Sequence, residues 1–274
     1  MTETTSLLQA DEPSPVLEHN APGGSPFLIA CDHYGRLIPR VLGDLGVPEA
    51  EQQRHIGWDI GIAGVATLLS NALNAHLIAQ RYSRLVIDCN RPLHVASSIP
   101  IISEATRIPG NEGLTKQATL QRRRAVFEPY HARISQVLDR RAAQGRPTAL
   151  IALHSFTPVY AGIPRPWHIG TLYEHDTRLP RLLLRKLRDQ KELVVGDNEP
   201  YAVREGSDFT IPVHGQARGL VHSGIEIRQD LIVEQAGQKA WAERLARVFT
   251  EIEPLLVKMI SASASAPAKA HRQS

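Results

Sequence analysis

TALIALHSF, residues 148–156, runs apolar from Ala149 to Leu153 and then turns polar at His154 and Ser155. A run this short, apolar at every position, reads as a strand buried on both faces. The same pattern recurs in PFLIACD (26–32), HLIAQRY (76–82) and RLVIDCN (84–90). It returns in WHIGTLYEHD (167–176), in ELVVGDN (192–198) and at the start of LVHSGIEIRQDLI (220–232). Between these lie stretches whose apolar residues recur at helical spacing: 61–74, 114–145, 178–190 and 234–260. In the second of them Pro129 is a point of breakage and Gly145 a stop. Continuously apolar strands alternating with helices predict an α/β fold with a mostly parallel sheet. Ligands of such sheets sit at the carboxyl ends of the strands.

The flanks differ from this pattern. Residues 1–24 are rich in Thr, Ser, Pro and Gly and read as a loose arm, and SASASAPAKAHRQS (261–274) reads as a disordered tail. One domain over residues 25–260 is expected between them, since 274 residues is less than two domains of about 150. Lys plus Arg number 31 and Asp plus Glu 28, a net charge of +3, which is not the footprint of a nucleic-acid binder. Two cysteines, Cys31 and Cys89, make neither a disulfide scaffold nor a Cys-rich zinc module, and fit a reducing cytoplasm. No apolar run approaches the roughly 20 residues of a membrane span, and the N-terminus lacks the pattern of a secretory signal. A cytoplasmic protein with no membrane partner is expected.

The residues at the strand ends carry the chemistry. Asp32 and His33 follow the first strand, and Asn90 and Arg91 follow RLVIDC with Asp88 inside it. His154 and Ser155 close the 148–156 run, and Glu226 lies within GIEIR. Any one of these alone reads first as a satisfied polar group at a strand end. Four sets converging on one sheet edge call for partners or a metal, because buried charge is costly alone. The motifs HExxH, GxSxG, GxxxxGK[ST] and GxGxxG are absent, which removes thermolysin-like proteases, nucleophile-elbow hydrolases, P-loop enzymes and dinucleotide binders. His55 and Asp59 stand four apart, one turn of a helix. With His33 and His154 they could supply two imidazoles and a carboxylate to a catalytic zinc, leaving a fourth position for water. Asp59 reads equally as a cap for the helix that follows, and His55 as a loop residue.

ACDHYGRLIP (30–39), RHIGWDIG (54–61), SRLVIDCNRP (83–92), ALIALHSFTP (149–158), VGDNEPY (195–201) and GIEIRQDL (224–231), taken in this order, resemble the N-formylglutamate amidohydrolase family. The resemblance implies a three-layer α/β/α fold with a mostly parallel mixed sheet, related to zinc carboxypeptidases and aspartoacylases. It implies one zinc ion and hydrolysis of the amide of an N-formyl or other N-acyl amino acid such as N-formylglutamate. It places His33 and His154 as imidazole ligands. Typical members carry Asp-Thr-Asp-Trp where this chain has His55-Ile-Gly-Trp58-Asp59, so Asp59 is the expected carboxylate ligand and His55 the alternative. Asn90 and Arg91 match the pair that holds a substrate carboxylate, and Glu226 matches the general base. His214 and His222 read as oxyanion stabilisers or, more simply, as structural histidines. Two other readings share these residues: an amidase or peptidase acting on a different small carboxylate, and a binding protein on the same fold that has lost catalysis.

Overall fold

The computed structural model describes residues 6–204 and 206–265. Seven strands form one sheet: β1 (Val16–His19), β2 (Phe27–Cys31), β3 (His76–Gln80), β4 (Ala149–Phe156), β5 (Ile169–Leu172), β6 (Val195–Asp197) and β7 (Val221–Arg228). Their order is β1-β3-β2-β4-β7-β5-β6. Pairing is parallel except at β1–β3 and β7–β5, so the sheet is mixed but mostly parallel, as expected.

The continuous apolar runs follow from burial on both faces. Ile29, Ile151 and Leu153 point to one side, packed by α1 (Ile62–Leu73), α4 (Arg178–Arg188) and α5 (Gln235–Ser265). Leu28, Ala30 and Leu150 point to the other, covered by Val126, Phe127, Tyr130 and Ile134. That second layer is the 114–145 stretch. It consists of α2 (Lys116–Arg122), a wider π turn (Arg123–Phe127) and α3 (Glu128–Ala143). The expected break at Pro129 is a bulge, not an interruption. Pro129 lacks an N–H and crowds the preceding turn, and the wide turn just ahead of it relieves both. Gly145 follows the end of α3 with φ +61, the left-handed geometry that glycine adopts without strain.

Three expectations differ from the structure. RLVIDCN (84–90) is not a strand but a succession of turns. The Ser83 hydroxyl accepts from Leu85 N, Val86 N bonds Ser83 O and Arg91 N bonds Asp88 O. Leu85, Val86, Ile87 and Cys89 are buried all the same, against the second layer. A short apolar run reports burial, and here local hydrogen bonds decide the backbone. The stretch read as a loose arm also departs from that reading, since Val16–His19 pairs with β3 and closes that edge of the sheet. Glu18 fixes it through His76 at 2.7 Å and Arg133 at 2.9 Å. The stretch read as a tail is helical through Ser265, and the remainder of it, like residues 1–5, lies outside the described residues.

After β2 the chain adds β3 on one side of it and later β4 on the other. The connections therefore leave in opposite directions at the carboxyl ends of β2 and β4, and a crevice opens between them.

Candidate active site

A cleft of about 370 Å³ occupies that crevice. His33 enters it from just beyond β2, and His154 from the end of β4. Asp59 comes from the loop before α1, where its N–H bonds His33 O at 3.0 Å. That loop is a series of turns, and α1 starts only at Ile62 behind Gly61. His55 and Asp59 are therefore not one helical turn apart on a common face. The Asp59 carboxylate makes no helix cap and turns instead to both imidazoles, 3.4 Å from His33 Nδ1 and 2.9 Å from His154 Nδ1. His55 lines the cleft but pairs with Glu104 at 2.9 Å.

His33, Asp59 and His154 present ligand atoms that all lie within 4.8 Å of one another, and all three side chains are buried. This set fits a metal ion. The Nδ1 of His33 is buried with no hydrogen-bond partner, and two imidazoles with one carboxylate are the donor set of an open catalytic zinc site. The opposite ring nitrogens face carboxylates. His33 Nε2 is 2.8 Å from Asp88 Oδ1, and His154 Nε2 is 3.2 Å from Asp32 Oδ2. Thr210 donates its hydroxyl to Asp32 at 2.7 Å, and Arg84 grips Asp88 Oδ2 through Nε and Nη2. Asp88 hydrogen-bonds His33 from behind and fixes its ring with Nδ1 turned to the trio, whereas Asp32 stands behind His154 as a charge neighbour, with no hydrogen bond between His154 Nε2 and Asp32 Oδ2. Sequence reading singled out Asp32 and Asp88 but gave them no role, and it missed Arg84 and Thr210. An acidic residue one position from a ligand, or in the next apolar run, was the signal available.

The charges of the site are held by their neighbours. Burial pushes the Asp88 carboxyl up, but Arg84 and His33 outweigh it and keep it well below the usual carboxylate range. Burial likewise opposes Asp59, which the two histidines hold below its ordinary value. Glu226 is the exception. Burial, aided by the charge of Asp59, lifts its carboxyl to about 7 against the pull of His154. Its side chain is 7% exposed and Oε2 has no hydrogen-bond partner.

Asn90 and Arg91 line the same cleft. The Asn90 carbonyl accepts from Phe209 N and Thr210 N, and its amide reaches Asp208 at 3.4 Å. Arg91 Nη1 donates to Ser207 O at 2.7 Å and to Asp208 at 3.1 Å. Its Nε–Nη2 edge makes no hydrogen bond among the described residues. His214 and His222 lie away from the cleft. His214 Nε2 is 3.0 Å from His131 Nδ1, and His222 Nδ1 is 2.8 Å from Leu220 O.

The model of the family described as N-formylglutamate amidohydrolase matches residues 25–233. A gene product of Agrobacterium tumefaciens of known structure is 35% identical, with a TM-score of 0.85 over 95% of this chain and 100% of that one. The N-formylglutamate amidohydrolase of Ralstonia eutropha JMP134 is 19% identical, with a TM-score of 0.65 over 90% of this chain and 100% of that one. No curated protein matches the chain. The match over three quarters of the sequence includes every strand of the sheet but β1, and with it the whole cleft, and it makes this chain a member of the N-formylglutamate amidohydrolase family and an amidohydrolase.

Proposed function

We propose that this amidohydrolase cleaves the amide of an N-formyl amino acid, N-formylglutamate or a close N-acyl analogue, with one zinc ion held by His33, Asp59 and His154. The observation that carries the reading is the pairing of a fitted ligand trio with Glu226, a buried carboxyl whose free oxygen faces the same cleft. The ion, when bound, acts as a Lewis acid on the scissile carbonyl and on the attacking water. Glu226 Oε2 accepts a proton from that water and returns it to the leaving amine. A carboxyl lifted to about 7 suits both directions of transfer near neutral pH. The free edge of Arg91 takes the substrate carboxylate through two parallel hydrogen bonds, with the Asn90 amide beside it. Asp88 keeps the His33 imidazole aimed, so little reorganisation of that ring accompanies binding.

The test is zinc content and turnover on the purified protein. One zinc per chain and release of formate from N-formyl-L-glutamate, lost on chelation and restored by zinc, are expected. A protein that is fully metallated and hydrolyses no N-acyl amino acid overturns the reading.

A further inference from the structure

Ala152, Leu172, Val203 and Ile211 all line the cleft, and no step of the reaction above uses them. All four are buried apolar side chains, and they form a cluster of their own, apart from the two that sandwich the sheet. Their place follows from the same ladders that set Glu226 beside His154. Two positions before Glu226, Gly224 stands opposite Ala152 on β4 and opposite Leu172 on β5. Residues two apart on a strand share a face, so this trio lies on the face of Glu226 and His154, about 7 Å deeper along the strands. Val203 and Ile211, which opens the π turn Ile211–Gln216, complete the wall. Gly224 lets the wall close over it: a Cβ there would come 2.9 Å from Leu172 Cβ and 3.2 Å from Ile211 Cδ1.

The position of this wall decides what part of a substrate meets it. Glu226 returns its proton to the leaving amine, so the amino-acid half of the substrate lies on the Glu226 side. Arg91 takes the carboxylate of that half and is itself held by Asp208, three residues before Ile211. The wall therefore runs from beneath Glu226 to the segment beside Arg91. The group that an amino acid carries between its amine and its carboxylate is its side chain. The formyl half brings a single hydrogen and no apolar surface. The other cations of the cleft are engaged: Arg84 grips Asp88, His55 pairs with Glu104, and His33 and His154 belong to the ligand trio. A second carboxylate laid against the wall would lose its water with no free cation beside it, which is costly. An aliphatic side chain in the same place gains by leaving water.

We propose that Ala152, Leu172, Val203 and Ile211 form a side-chain subsite, so that the enzyme prefers N-acyl amino acids with an aliphatic side chain over N-formylglutamate. This deepens the hydrolysis proposed for the same cleft and rests on it. Arg91 fixes the α-carboxylate, and the wall selects the side chain by burying it.

The experiment measures kcat and KM for N-formyl-L-leucine, N-formyl-L-glutamate and N-formylglycine on the zinc-loaded enzyme. Wild type is expected to show a kcat/KM for the leucine compound roughly 10- to 100-fold above that for either of the others, the size of burying one aliphatic side chain. Leu172→Ala should lower kcat/KM for the leucine compound roughly tenfold and leave the glycine compound within about twofold, since glycine places nothing against the wall. Val203→Thr is nearly isosteric and puts a hydroxyl on the wall. It should lower kcat/KM for the leucine compound roughly threefold or more, and it serves if the Leu172 variant does not fold. A glutamate compound turned over as efficiently as the leucine compound, or more so, overturns the inference, and so does an equally efficient glycine compound. A wall variant that lowers kcat/KM for all three alike overturns it too, because the residue would then serve the fold alone. Hydrolysis of none of the three overturns the proposed reaction and the inference with it, a different outcome from hydrolysis without preference.

Discussion

Glu226 and His154 stand directly opposite each other in the parallel ladder between β7 and β4. Neighbours in register on adjacent strands point to the same face, so the candidate base and a candidate metal ligand are side by side by construction. Ile225 and Ile227 on one strand, and Leu153 on the other, pack into the opposite layer and hold the register. A shift of one residue in either strand would turn that strand's candidate side chain into the core.

His33→Ala and His154→Ala should each lose bound zinc and nearly all turnover while remaining folded, with zinc measured by mass spectrometry or chelator release. Asp59→Ala should lose zinc as well. His55→Ala should keep it, because His55 is occupied with Glu104. Stoichiometric zinc in any of the first three variants would remove that residue from the ligand set.

Asp88 supports a ligand without being one. Asp88→Asn removes the charge behind His33 and should weaken zinc affinity roughly 10- to 100-fold, read by competition with a chelator of known affinity. The same affinity as wild type would make Asp88 a partner of Arg84 only.

Arg91→Lys keeps a cation in the cleft but loses the two-pronged edge. It should mainly raise KM, costing roughly 1.5–3 kcal/mol in kcat/KM. Amidating the substrate carboxylate should weaken binding to wild type and change little further in the variant. Equal turnover of amidated and free-acid substrates by wild type would contradict the role.

Glu226→Gln is nearly isosteric and cannot accept the proton. It should lower kcat by roughly 10²–10⁴-fold with KM and zinc content nearly unchanged. A metallated variant within a few-fold of wild type would sink the assignment.

His131 and His214 predict an acid-sensitive fold. Burial lowers His131 to about 4 and His214 to about 3, so both stay neutral in the folded protein at pH values where the unfolded chain binds protons. The stability they contribute is complete above about 6.5 and is lost as pH falls from there towards 4. His131→Leu should flatten the dependence of Tm on pH in that window. An unchanged slope would assign the acid sensitivity elsewhere.

The sequence by itself determined most of the sheet and the candidate residues at its edge. Seven apolar runs were read as strands and six are strands, because a segment buried on both faces must be apolar throughout. His33, His154 and Glu226 were legible as candidates because several polar residues converged on one sheet edge in the order of a family resemblance, whereas any one of them alone reads as a satisfied polar group. Tertiary structure decided the rest. The RLVIDCN run is as apolar as β2, yet its backbone turns, since burial does not specify which hydrogen bonds the chain makes. Asp59 could be separated from His55 only once the loop before α1 had aimed one at the imidazoles and the other at Glu104. Asp88 gained its place behind His33, and Asp32 its place beside His154, from contacts between distant segments. Local pattern records which face a residue occupies, and only the packing of those segments fixes what it meets there.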